Sequence, residues 1–426
     1  MRFSVFSKRS STLALALALG MGGVLSVTAL EAPAAAQKKK KDDDKAAKPQ
    51  YSKGFVAAYN PVQQLDKDGD VEAVKAALPG VIAAIENDDD RNVAGSLVYA
   101  TGSKLSDTAL RRQGLDMMLQ SGKVPAESQP GYYLQAGQLA YQDEDWSAAR
   151  TYFERAMELG YTENDLTPSI AETYFQEERF ADGVTYLSQA IEAKRQAGQP
   201  VDEAWIRRGL AMAYNNQLDA QAREYSSMYV RDYPSATSWG DAIGILYNTS
   251  EIGGEDSLDL LRLARRVDGL RQSNQYLEYI DQADPRKLPG EVVAVIDEGY
   301  ASGNLDRSNT FVSEARAEAA KRVKTDETEL PELAKDARAA NANLVTVMAA
   351  GNAFLSYGRA ADAEEFFAKA ATMPGANTPL VLTRMGIAQL DQGKYAEAEA
   401  TFNRVEGARQ AIANLWAIYT TQQAGS

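Results

Sequence analysis

From Tyr51 onward, apolar residues recur every three or four positions, and no stretch of strand length alternates strictly between apolar and polar, so the chain predicts helices throughout. The clearest amphipathic face lies near the C-terminus. Between Ala408 and Thr421, residues Ile412, Leu415, Trp416 and Tyr419 share one side while Gln410, Asn414 and Thr421 share the other, the pattern of a helix that caps a stack and sends Trp416 into the core. Gly253-Gly254, Pro285, Pro289-Gly290, Gly303 and Pro331 read as helix stops, which gives about six helices between Trp239 and Asn343 and about four or five between Tyr51 and Lys123. Leu78-Pro79-Gly80-Val81-Ile82 echoes Leu288-Pro289-Gly290-Glu291-Val292, which suggests degenerate repeats.

A longer period overlies the helical one. Gly137, Ala149, Phe153 and Ala156 recur 34 residues later as Ala171, Gly183, Leu187 and Ala190, and Trp146 recurs as Phe180. Gly351, Ala363, Phe367 and Ala370 recur after 35 residues as Gly386, Ala398, Phe402 and Val405. A small residue lets two antiparallel helices approach, a second small residue faces it, and the aromatic one turn further on is expected to fill the groove toward the next unit. A third unit after Gln199 keeps Trp205, Gly209, Tyr225 and Met228, has Arg208 and Gln221 in place of an apolar and a small residue, and ends at Asp232-Tyr233-Pro234.

These motifs resemble the tetratricopeptide repeat (TPR), most closely in residues 382–386 with 393–402 and in residues 145–156. The expected fold is therefore all-α: a TPR-like solenoid of stacked antiparallel helix pairs. Residues 129–236 and 343–426 read as TPR repeats, the second block carrying the capping helix, and residues 51–128 and 237–342 read as degenerate helical repeats.

The first 36 residues break this pattern. Arg2, Lys8 and Arg9 precede an apolar stretch that runs to Leu30 and closes on Ala34-Ala35-Ala36, the series of a secretory signal cleaved before Gln37. The expected product is periplasmic or secreted, with no transmembrane anchor after cleavage. Residues 37–50, with six Lys, three Asp and no large apolar side chain, read as a flexible linker. Net charge is -14, and residues 1–50 carry nine basic against four acidic side chains, so the body from Tyr51 is at -19. Such a body is repelled by nucleic acid.

Composition narrows the chemistry further. The chain has no His and no Cys, which excludes Ser-His-Asp and Cys-His catalysis, disulfides and conventional zinc sites. Asp66-Lys67-Asp68-Gly69-Asp70 opens like a calcium loop, but Val71 and Ala77 stand where that loop needs Gly and Glu, so the segment reads as a turn with helix-capping acids. Asp88-Asp89-Asp90 reads as a helix start. Neither Gly-Lys pair, at Gly122 or at Gly393, completes a phosphate loop. No cofactor is expected, and the acidic residues read as solvated helix faces.

The TPR resemblance implies a concave groove, lined by the first helix of each unit, that holds a protein or peptide. Carried onto this sequence, the groove positions are Leu134, Gln138, Tyr141, Gln142, Glu172, Phe175, Gln176, Asn352, Leu355 and Ser356. Tyr141, Phe175 and Leu355 suit inter-repeat packing equally well. The set holds almost no cation, which disfavours a ligand with a terminal carboxylate. The reading is a non-enzymatic adaptor in cell-envelope assembly or export. A scaffold for cell-wall glycan or exopolysaccharide and an all-helical, carboxylate-dependent polysaccharide enzyme are the alternatives.

Overall fold

The computed structural model describes residues 49–425, so the expected secretory signal and most of the expected linker lie outside the described residues. The described chain is all-helical. Its helices are α1 (Lys53–Lys67), α2 (Val71–Ala83), α3 (Asp88–Leu105), α4 (Thr108–Gln120), α5 (Gln129–Gln142), α6 (Trp146–Glu158), α7 (Thr167–Gln176) and α8 (Phe180–Gln196). They continue as α9 (Glu203–Asn215), α10 (Asp219–Asp232), α11 (Ala236–Thr249), α12 (Glu255–Arg266), α13 (Ser273–Ala283) and α14 (Pro289–Ala301). The last six are α15 (Thr310–Arg338), α16 (Leu344–Ser356), α17 (Ala360–Ala371), α18 (Thr378–Leu390), α19 (Tyr395–Phe402) and α20 (Gln410–Ala424). Consecutive helices pack as pairs, as a TPR-like solenoid requires, and the chain divides into two compact units at Ala193/Lys194.

Side-chain caps set several boundaries. Asp70 accepts from the Ala73 amide at 3.0 Å to start α2, and Asn87 accepts from Asp90 at 2.9 Å to start α3 behind its acidic first turn. Asp90 is itself buried and accepts from the Ser52 and Glu86 amides at 3.0 and 3.1 Å, which ties the entry of α1 to α3.

The repeat glycines work differently from the expectation. A Cβ on Gly137 would lie 2.6 Å from the Phe153 ring, on Gly351 2.7 Å from Phe367, on Gly386 2.6 Å from Phe402 and on Gly209 2.1 Å from Tyr225. The aromatic therefore lies on the glycine of its own helix pair instead of reaching toward the next unit, and the weaker third unit keeps this device. The α3/α4 pair is closer still, since a Cβ on Gly114 would meet the Tyr99 amide nitrogen at 2.4 Å.

One expected stop does not stop a helix. Pro331 lies inside α15, where it and Glu327, whose carbonyl loses its helical donor, are both exposed, so water can satisfy that oxygen. Residues 239–343 accordingly hold fewer, longer helices than the prolines suggest. The Leu-Pro-Gly echo is not structural either: Pro79 lies within α2, whereas Pro289 begins α14.

Candidate functional site

In the first unit, α5 and α7 carry the N-terminal candidates. Pro130 at the start of α5 and Pro168 at the start of α7 occupy positions whose amides have no helical partner anyway. The two helices meet in a cluster formed by Ala140, Ala149, Phe153, Ala156, Leu166 and Ile170. Leu134, Gln138, Tyr141 and Gln142 share one face of α5; the first three are half-buried and Gln142 is exposed. Tyr141 stands edge-on to Trp146 at 4.8 Å. On α7, Gln176 is exposed and donates Nε2 to Glu172 Oε1 at 2.9 Å. Phe175 turns the other way: it is 4% exposed, and its ring lies against Gly183.

Polar ties hold these helices in place. Arg150, 8% exposed, donates Nη1 to Glu177 Oε2 at 2.9 Å and to Thr173 Oγ1 at 3.2 Å while its guanidinium covers the Tyr174 ring at 4.1 Å, joining α6 to α7. The Tyr152 hydroxyl donates to Asp116 and joins α6 to α4; burial, then that carboxylate, push its pKa up to about 12. The result is a braced surface with amide, aromatic and aliphatic groups on α5 and α7.

In the second unit, the C-terminal candidates have a different setting. α12 packs against α18 and α20, and the contact is centred on one carboxylate. Asp259 is fully buried and accepts from Arg262 Nη1 at 2.8 Å, from Arg384 Nε at 3.2 Å and from Arg409 Nη2. Burial disfavours its charge, but Arg384, Arg262 and Arg409 outweigh burial and hold the carboxyl below the usual carboxylate range. Arg262 also grips Glu291 with Nε and Nη2 at 2.7 and 2.6 Å, and the Tyr279 hydroxyl donates to Glu291 at 2.6 Å. Against its burial, Glu291 is likewise held low by Arg262. Trp416 is wholly buried and donates Nε1 to the Asp259 carbonyl at 3.1 Å.

Asn352 belongs to this network, accepting from Arg384 Nη1 at 2.8 Å, while the same Nη1 reaches Glu255 at 3.2 Å. Arg384 reaches Asn352 from α18, outside the candidate set, and with Arg409 it is taken up by acids of the chain's own α12, namely Glu255, Asp256 and Asp259. The sequence signal for Arg384 was a lone cation inside the apolar run Leu380–Leu390. Leu355 and Ser356, at the end of α16, line a cleft whose other walls come from α12 to α14 and from the end of α18.

No known family matches the sequence as a profile, and no curated protein matches it. Among solved structures, the chain is similar to the Naa15/Naa10 assembly bound to HypK-THB, at 13% identity over 87% of this chain and 68% of that one, with a TM-score of 0.34. It is similar also to the APC/C hetero-tetramer Cut9-Hcn1, at 14% identity over 88% of this chain and 70% of that one, TM-score 0.22. A third is yeast Tom70, at 12% identity over 87% of this chain and 96% of that one, TM-score 0.18. At these scores the likeness goes no further than the helical-repeat fold that the structure itself displays.

Proposed function

We propose that this chain is an exported scaffold that holds a polypeptide partner on the α5/α7 face, in the assembly or traffic of the cell envelope. The observation that carries the reading is that face: exposed Gln142 and Gln176 beside half-buried Leu134, Gln138, Tyr141 and Glu172, with α7 tied to α6 by Arg150 and α6 tied to α4 by Tyr152. Amides both donate and accept, so they can read an extended main chain, while Tyr141 and Leu134 supply apolar area. The basic, apolar and Ala34-Ala35-Ala36 series supports export.

The test has two parts. Mass spectrometry of the protein from its host should find a mature N-terminus at Gln37; an intact residue 1–30 peptide in the cytoplasmic fraction contradicts export. In-cell crosslinking should recover a defined partner, and Gln138→Arg with Gln142→Arg should abolish that recovery while Glu158→Arg on α6 leaves it intact. Equal recovery with all variants contradicts the assigned face.

A further inference from the structure

The cleft beside Leu355 and Ser356 has a volume of about 940 Å³, at the upper end of the range of small-ligand sites. Its walls are strongly polar, yet their charges cancel. Arg262, Arg265 and Arg266 line it together with the carboxylates that hold them, Glu291, Glu298 and Asp391. Arg271 and Asp268, both exposed, add one charge of each sign. A ligand with net charge finds no surplus counter-charge here, and pulling an arginine from a two-point carboxylate contact would strand an ion in a partly buried place.

What the cleft does offer is unspent hydrogen-bonding capacity of both kinds. The Arg271 guanidinium makes one hydrogen bond among the described residues, from Nε to the Asp268 carbonyl at 3.3 Å, so its terminal amines remain as donors. Asn304 donates Nδ2 to Ser302 Oγ at 3.0 Å and keeps its carbonyl as an acceptor. Ala294 and Ala301, half-buried and exposed, add apolar surface to the lining, with the edges of Leu270 and Leu355. A hydroxyl donates and accepts through one atom, so a ring bearing several hydroxyls around an apolar C–H face matches such a lining without any net charge.

We propose that this cleft binds a neutral, polyhydroxylated ligand, an oligosaccharide of about two or three sugar units by volume. It uses no residue of α5 or α7, so it stands or falls apart from the partner face.

The test is saturation-transfer NMR on the full chain with maltotriose, cellotriose and triacetylchitotriose, each at about 10 mM, where even a Kd of about 1 mM leaves most of the protein's sites occupied. At least one should receive transfer. Titration calorimetry with that sugar should then show affinity weakened about tenfold or more by Arg271→Ala and abolished by Ala301→Trp, which fills the cleft from an exposed position. Both variants should keep the parent's melting temperature. Transfer to none of the three sugars, or affinity unchanged in both variants, would overturn the proposal. Inorganic phosphate displacing the sugar, or the tripeptide Gly-Glu-Lys binding where no sugar does, would overturn it too, in favour of an anion or a peptide site.

Discussion

Asp259→Asn exchanges one oxygen for an amine at the centre of the second unit, and it should be far more damaging than its size suggests. The carboxylate accepts from Arg262 at 2.8 Å, from Arg384 at 3.2 Å and from Arg409, and it is fully buried. An asparagine keeps one acceptor oxygen and points a donor at a guanidinium that also only donates. Arg384, 2% exposed, would be left with Asn352 and with Glu255, whose side chain is 61% exposed. Breaking a buried ion pair from one side costs about 3–5 kcal/mol. For a unit of this size that corresponds to roughly 6–20 °C in melting temperature. The natural control is Glu298→Gln, which removes the two-point partner of Arg265 on a much more exposed pair and should cost under about 1 kcal/mol. Calorimetry of the full chain decides it, and in a Trp146→Phe background the fluorescence of Trp205, Trp239 and Trp416 assigns the transition to residues 194–425. If Asp259→Asn melts no lower than Glu298→Gln, the buried network does not hold α12 in place.

The same network should set the acid limit. Asp259 and Glu291 are held below their ordinary range when folded, so the stability they confer is complete above about pH 5 and is lost as pH falls through their lower folded values; Glu291→Gln should flatten the acid limb of a denaturant-midpoint profile between about pH 2 and 5. Gly386→Leu must displace the Phe402 ring, itself stacked on Trp416 at 6.0 Å, and should cost roughly 1–3 kcal/mol in chemical denaturation; an unchanged midpoint would refute the tight crossing. Phe175→Ala should cost about 3–5 kcal/mol of stability, as for a buried aromatic. Tyr141→Ala, by contrast, should weaken partner capture by about 1–3 kcal/mol, and a stability loss that fully explains its lost capture would move the site elsewhere.

How much of this could be read from the chain follows from how local each signal is. Gly386 and Phe402, or Gly137 and Phe153, are separated by 16 residues and repeat, so their partnership showed in the spacing; the direction of the ring, toward its own glycine, did not. Trp416 was legible as core from its helical face alone, and it is fully buried. α12 was not legible. Leu258, Leu260, Leu261 and Leu263 point around the whole helix, and its charges find partners 125 and 150 residues away in Arg384 and Arg409, pairings that no local pattern encodes. Pro331 misled for a related reason: the carbonyl it strands lies at an exposed position where water can satisfy it, and exposure is a property of the folded chain. On the candidate face, the helical spacing puts Leu134, Gln138, Tyr141 and Gln142 on one side of α5, but it could not tell that Phe175 turns inward beside Glu172 and Gln176.

The most direct measurement places a photo-crosslinking amino acid, one position at a time, at Gln142 and Gln176 and at the exposed control positions Glu158 and Glu397. Illumination in the living host should join one and the same polypeptide to the chain from Gln142 and from Gln176, and neither control should yield it. Adducts from Glu158 or Glu397 alone, or none from Gln142 and Gln176 while the chain remains folded, would contradict a scaffold that holds its partner on α5 and α7.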